Sequence, residues 1–325
     1  MKRVFMLGAS GTIGQTTVQA LIRAGNEVVC FVRPRHGANS PLMAQLQSLG
    51  AELRWGEVGE LQSLREHGFR GESFDVLMSC MASRTGAPRD AWAVDHQAHV
   101  QALEAARQAG VSQMVLLSAI CVQKPLLAFQ QAKLAFEQTL IDSGLNYSIV
   151  RPTAFFKSLA GQLQRLRQGK PFLVFGDGQL TSCKPISDRD LAQFLADCIE
   201  DESRHRQILP IGGPGPALTP REQGQLLFQA LGQTPRFRQV PLALLDAIIA
   251  TLGAAGRLVP TLKDKAELAR IGRYYASESM LVLDVASGRY KADTTPSAGA
   301  DTLADFYRDL VSGKVSIDRG DHAVF

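Results

Sequence analysis

Val4-Phe-Met-Leu7 is an apolar run that leads straight into Gly8-Ala-Ser-Gly11-Thr-Ile-Gly14. Apolar residues at Val18, Leu21 and Ile22 then share one helical face, and Gly25-Asn26 ends that pattern. Glu27 to Val32 (EVVCFV) reads as a second strand. Strand, turn, helix and strand follow one another within the length a βαβ unit needs. Glycines between a strand and a helix allow a tight turn, close backbone approach to a pyrophosphate, and tight helix–strand packing. The helix N-terminus adds N–H donors and a dipole that favours the anion. This stretch therefore predicts a dinucleotide site built from Gly8, Ser10, Gly11, Thr12, Ile13 and Gly14.

The alternation continues outward from there. Helical patterns fall over Leu42–Leu49, Leu61–His67, Val94–Ala109 and Ala128–Ser143, the last followed by Gly144 where a C-terminal glycine belongs. Between them, Glu52–Trp55, Phe74–Met78, Gln113–Leu117 and Tyr147–Val150 read as strands. The pattern predicts an α/β chain, a Rossmann-type doubly wound parallel sheet with a smaller C-terminal substrate-binding lobe. A nucleotide-binding domain is expected over 1–150 and the lobe over 151–325, with about 187–211 returning to the sheet. In that second half, Phe172–Phe175 and Thr181–Pro185 flank the turn Gly176-Asp177-Gly178 and predict a hairpin. Ser187–Glu200 predicts a helix and Gln207–Ile211 a late strand.

Composition sets the outer bounds. Apolar residues make up 45% of 325 and charged residues 20%, a globular balance that excludes a disordered or fibrous chain. Lysine plus arginine exceeds aspartate plus glutamate by 35 − 31 = 4, too little to argue for nucleic acid. The five cysteines form no CxxC pair, and reduced thiols are expected. His96 and His99 have no neighbouring ligand set, so no metal is expected. Leu242–Val259 is apolar but interrupted by Asp246 and Arg257, and is too short to span a bilayer. A surface or pocket-covering helix fits it better. No signal or transit peptide precedes the first strand, which points to a cytoplasmic protein, with peripheral contact to a membrane left open.

The end of the second strand bears on the cofactor. An NAD site would place a carboxylate there for the ribose 2′-hydroxyl. This chain has Val32-Arg33-Pro34-Arg35-His36 instead. Arginine forks suit a 2′-phosphate, so Arg33 and Arg35 predict NADPH; a solvated basic loop is the competing reading.

Ser118 follows the fifth strand, and Phe129-Gln-Gln-Ala-Lys133 lies beyond it. Here the chain resembles the short-chain dehydrogenase/reductase superfamily. Most members carry Tyr-x-x-x-Lys at this place, the tyrosine as acid and the lysine holding the nicotinamide ribose. The resemblance gives Lys133 the ribose-holding role and Ser118 and Pro152 places at the cofactor, while Phe129 replaces the tyrosine and has no proton to give. A lysine on a solvated helix surface is the alternative for Lys133.

Later segments are more specific. Arg151-Pro-Thr-Ala-Phe-Phe-Lys-Ser158, Cys183-Lys-Pro-Ile-Ser-Asp188, Leu209-Pro-Ile-Gly-Gly-Pro214 and Tyr274-Tyr-Ala-Ser-Glu-Ser-Met-Leu-Val-Leu-Asp284 resemble the divinyl chlorophyllide 8-vinyl reductases over essentially the whole chain, in their bacterial form. That resemblance implies NADPH-dependent reduction of the C8 vinyl group of divinyl chlorophyllide a to ethyl, in chlorophyll or bacteriochlorophyll biosynthesis. It implies a large apolar pocket lined by Phe155, Phe156, Tyr274 and Tyr275, although each of these aromatics serves equally well as core. Two other readings stay open at this point. One is a non-catalytic NADP-sensing regulator; the other is an atypical reductase or isomerase of another apolar substrate.

Overall fold

A computed structural model describes residues 1–34, 40–256, 259 and 261–316. The chain divides into two compact units, residues 1–83, 88–152 and 188–209 in the first, and 84–87, 153–187 and 210–325 in the second.

The first unit holds strands β1 (Arg3–Leu7), β2 (Glu27–Val32), β3 (Glu52–Trp55), β4 (Val76–Ser79), β5 (Gln113–Leu117) and β6 (Asn146–Pro152). After β7 (Phe172–Phe175), the strand β8 (Gln207–Ile211) joins the same sheet, whose order is β3-β2-β1-β4-β5-β6-β8. The pairings from β3 to β6 are parallel. Tyr147 meets Arg206 and Thr153 meets Ile211 through backbone hydrogen bonds, so β8 runs the same way. Strand order reverses between β1 and β4, where Leu7 pairs with both Phe31 and Ser79. In open α/β sheets such a switch point is where ligands bind, beyond the carboxyl ends of the strands.

The strands are apolar on both faces because helices cover both. Phe5, Leu7, Val29 and Phe31 share a core with Ala102 and Leu103 of the helix His99–Gln108 and with Phe136 and Leu140 of the helix Ala128–Asp142. Val4, Met6, Val28 and Cys30 alternate to the other face and are equally buried. Helices Thr12–Arg23 and Asp188–Asp197 pack together. The Phe5 ring stacks on Phe69 at 4.0 Å between centroids and meets the edge of Phe74 at 5.3 Å. Each such buried ring contributes roughly 1.5–3 kcal/mol.

The expected helix Val94–Ala109 is not uniform. Its first part, Trp92–Ala98, is a π-helical turn, and the α-helix proper runs His99–Gln108. The expected hairpin of Phe172–Phe175 with Thr181–Pro185 is absent. β7 instead pairs in parallel with β9 (Phe237–Val240), in register Phe172 with Phe237. The turn does form, Gly178 N–H donating to the Phe175 carbonyl, but Arg221 N–H takes the Gly178 carbonyl and leads the chain away. The helix Pro220–Ala230 covers both strands, and Gly224 makes this possible. A Cβ there would lie 2.6 Å from the Phe237 ring and 3.1 Å from the Phe172 ring. Cys183 forms its bridges with Leu218 and Met280.

The second unit has its own core of Phe156, Leu163, Leu166, Phe172, Phe228 and Tyr307. The Tyr307 hydroxyl donates to the Leu159 carbonyl at 2.9 Å. The helix Leu242–Ala255 lies against Thr261–Tyr275 and has no buried residue.

Candidate functional site

Gly8, Gly11 and Gly14 are required for different reasons. Gly8 has φ +79°, and a Cβ on it would meet the Cys80 carbonyl carbon and the Met81 nitrogen at 2.6 Å. The backbone just past β4 closes on it at the switch point. Gly14 is tighter still: a Cβ would lie 2.0 Å from the Gly8 carbonyl oxygen. The first helical turn thus sits directly on the loop. Gly11 differs, because its φ of −80° is ordinary and its nearest obstacle, the Gly8 carbonyl, would be 3.5 Å away. Among the described residues nothing packs closely enough to call for glycine there, and the open position leaves room for a ligand to approach. Gly11 is also the N-cap of the helix Thr12–Arg23, with no side-chain cap and no acidic residue in the first turn. The loop therefore presents a positively polarised helix end, and its clearances fit a dinucleotide pyrophosphate. Ser10, Thr12 and Ile13 line the same turn, with the Ser10 carbonyl accepting from the Gln15 amide at 3.2 Å.

Arg33 directly follows β2 and is half-buried beside this loop's sheet edge, with no carboxylate at the strand end. Arg35 lies outside the described residues.

Ser118, Lys133 and Pro152 are placed by β5, the helix Ala128–Asp142 and β6. The Ser118 backbone N–H donates to Val150 at 2.7 Å, and its hydroxyl donates to Glu137 Oε1 at 2.5 Å. Glu137 is 2% exposed, and the Arg151 guanidinium bonds both of its oxygens, Nε to Oε1 at 3.2 Å and Nη2 to Oε2. The Ser118 proton is thereby committed inward, so toward a ligand Ser118 offers lone pairs.

Phe129 is buried, with no acid at that position. One helical turn later, Lys133 Nζ pairs with Asp95 Oδ1 at 3.0 Å. Asp95 Oδ1 also accepts the Ser83 N–H at 3.1 Å. The ring of His99 is tied at both ends, Nδ1 to the Val94 carbonyl at 2.8 Å and Nε2 to the Ser79 hydroxyl at 2.8 Å. Burial, with a smaller contribution from the Lys133 charge, pushes its pKa down to about 4, so it is a neutral brace for the end of β4. The sequence brought up His99 only to set it aside as a metal ligand, and did not mark Asp95 or Glu137 at all. Their partners come from other elements, which no local pattern marks.

Of the aromatics expected at the substrate, Phe156 packs in the second unit's core at 5.4 Å from Phe306, and Tyr274 is buried edge-on to Tyr275 at 5.7 Å. Phe155 and Tyr275 remain half-buried. None of the five cysteines is in a disulfide, and burial pushes the Cys30 and Cys183 thiols up to about 12, which keeps them protonated and inert.

The sheet order, the glycine loop and the matched family model together define an NAD(P)H-binding protein, the model described as NAD(P)H-binding covering residues 8–202. A leucoanthocyanidin reductase from Vitis vinifera, solved with NADPH, has the same fold, with a TM-score of 0.66 at 16% identity over 95% of this chain and 99% of that one. The chain is also 48% identical over 99% of its length to a chloroplastic divinyl chlorophyllide a 8-vinyl-reductase of Cucumis sativus, 79% of which is covered. It is 46% identical over 95% of its length to that of Arabidopsis thaliana, 76% of which is covered. It belongs to the divinyl chlorophyllide a 8-vinyl-reductase family. These relatives are plant proteins; the expectation of the bacterial form rests on the sequence alone.

Proposed function

We propose that the protein reduces the C8 vinyl group of divinyl chlorophyllide a to ethyl with NADPH. The near-full-length identity to the 8-vinyl reductases carries this reading. NADPH, when bound by these residues, would supply a hydride. Added at the terminal vinyl carbon, it leaves negative charge on the inner carbon, spread over the macrocycle, and a proton at the inner carbon completes the ethyl group. This delocalisation makes a strong protein acid less necessary, which accords with Phe129 where alcohol dehydrogenases of this superfamily carry tyrosine. Phe129 has no proton, and that of Ser118 is held by Glu137. The proton is then supplied by water or by a side chain other than these two.

The protein's own part is then to bind and orient. The loop Gly8–Gly14 takes the pyrophosphate, Arg33 the 2′-phosphate, Lys133 the nicotinamide ribose, and Ser118 accepts a hydrogen bond from the cofactor. Phe155 and Tyr275 are the aromatic faces offered to the flat pigment, ahead of the core-packed Phe156 and Tyr274. Orientation of the vinyl carbon and exclusion of water supply the rate.

Incubation with divinyl chlorophyllide a and each nicotinamide cofactor tests both parts. The Soret band should shift to the blue as the vinyl leaves conjugation, and NADPH should be preferred over NADH by about tenfold or more, the worth of one charge-assisted hydrogen bond or two. No shift with either cofactor would remove the function, and equal use of both would remove the role of Arg33.

A peripheral position on a membrane belongs to the same proposal. Among the described residues no helix is long and apolar enough to cross one. The helix Leu242–Ala255 nevertheless leaves Leu244 and Ile248 exposed, and exposed Arg236, Arg238, Lys263 and Lys265 flank it in sequence. An apolar helix with basic neighbours suits an anionic lipid surface. The protein should float with anionic vesicles, and the double substitution Leu244→Asp, Ile248→Asp should release it. Wild-type protein that stays with the soluble fraction would contradict this placement.

A further inference from the structure

We propose that Asp95 is a positioning residue for Lys133, fixing the ammonium where it meets the nicotinamide ribose. The inference rests on the ribose-holding reading of Lys133 given above. Asp95 is 1% exposed. Its Oδ1 accepts the Ser83 N–H and forms an ion pair with Lys133 at 3.0 Å, while its Oδ2 is buried and has no hydrogen-bond partner among the described residues. A buried carboxylate with one oxygen unserved is costly unless a charge offsets it, and Lys133 is that charge.

Both ends of the pair are anchored before any ligand arrives. Asp95 sits in the π-helical turn Trp92–Ala98, a rare geometry that recurs at functional sites. The His99 ring braces this turn, joining its Val94 carbonyl to Ser79 at the end of β4, next in register to Leu7 at the mouth of the glycine loop. On the other side, Gln130 Oε1 accepts the N–H groups of Leu126 and Leu127 at 2.8 and 2.9 Å, which fixes the start of the helix that carries Lys133. A lysine ammonium is a point charge on a flexible stem with three donors. The ion pair with Asp95 holds the ammonium end of that stem in one place.

Removing the carboxylate has two opposed consequences for an anionic cofactor. It frees a positive charge, which favours binding at long range but is screened over about 10 Å at 0.1 M salt. It also releases the stem, and its ordering must then accompany binding. The second effect prevails in this account, so the sign of the change is diagnostic.

The test measures NADPH dissociation constants by fluorescence, Michaelis constants for cofactor and pigment, and thermal stability, on Asp95→Asn, Lys133→Met and the double variant. Asp95→Asn should weaken NADPH binding on the order of tenfold, about 1.4 kcal/mol, and leave the pigment KM unchanged. In the Lys133→Met background the same substitution should leave NADPH affinity where it was. Asp95→Glu keeps the charge but displaces the ammonium by a methylene; it should bind NADPH more weakly than wild type and more tightly than Asp95→Asn, and it serves alone if Asp95→Asn does not fold. Unchanged or tighter NADPH binding in these variants, whatever happens to stability, would overturn the proposal, as would an equal loss in both backgrounds. If Lys133→Met binds NADPH like wild type, the ribose-holding reading itself falls, and the positioning role with it.

Discussion

Gly14→Ala is expected to cost the protein its NADPH site. Alanine at a helical position ordinarily gains about 0.5–1 kcal/mol over glycine. Here its methyl would lie 2.0 Å from the Gly8 carbonyl oxygen, backbone against backbone, with no flexible side chain to give way. The helix start must lift from the loop, at a cost of about 1–3 kcal/mol for such overpacking, and the pyrophosphate cradle opens with it. Thermal stability should fall and NADPH affinity should drop on the order of a hundredfold or more. Gly11→Ala makes the informative contrast. Its methyl has 3.5 Å to the same carbonyl, so the fold should hold to within about 1 kcal/mol while the approach of the pyrophosphate is blocked. Equal NADPH affinity for wild type and Gly11→Ala, measured by fluorescence titration, would contradict the assignment of this loop.

The second large effect concerns stability. Arg151→Leu should lower it by about 3–5 kcal/mol, because the Glu137 carboxylate, 2% exposed, would be left with only the Ser118 hydroxyl as partner. Replacing both charged residues, Arg151→Leu with Glu137→Leu, should recover much of that loss, since the buried charge then disappears with its partner. The double variant should still bind NADPH less well, because the Ser118 hydroxyl is no longer held inward. Denaturant titration of the two variants separates these outcomes. A loss below about 1 kcal/mol in Arg151→Leu would mean that Glu137 is not held as a buried charge.

Features encoded within a few residues were legible in the sequence. The glycine turn, the flanking strand and helix, and the missing carboxylate after β2 all lie in one stretch, and each has a local cause. The strand alternation was legible because both faces of a parallel sheet are covered, which leaves continuous apolar runs. Where long-range pairing decides, local signals misled. The turn Gly176-Asp177-Gly178 forms, yet β7 finds β9 beyond two helices and β8, through packing of Phe172, Phe237 and Gly224. The π-helical turn at Trp92–Ala98 was hidden because one longer turn barely disturbs an apolar pattern of helical period. The Asp95–Lys133 pair and the Ser118–Glu137–Arg151 chain join separate elements. Phe129 and Lys133 could be read against a family pattern, while the carboxylates that hold their neighbours could not.

The reduction itself is tested most directly by isotope. Divinyl chlorophyllide a is incubated with NADPH that carries deuterium at the transferable position, and in a parallel reaction with unlabelled NADPH in D2O. The account predicts a monovinyl product with deuterium in the methyl carbon of the new ethyl group in the first case, and in its methylene carbon in the second. A product with the two labels exchanged, or no 8-ethyl product at all, would contradict it.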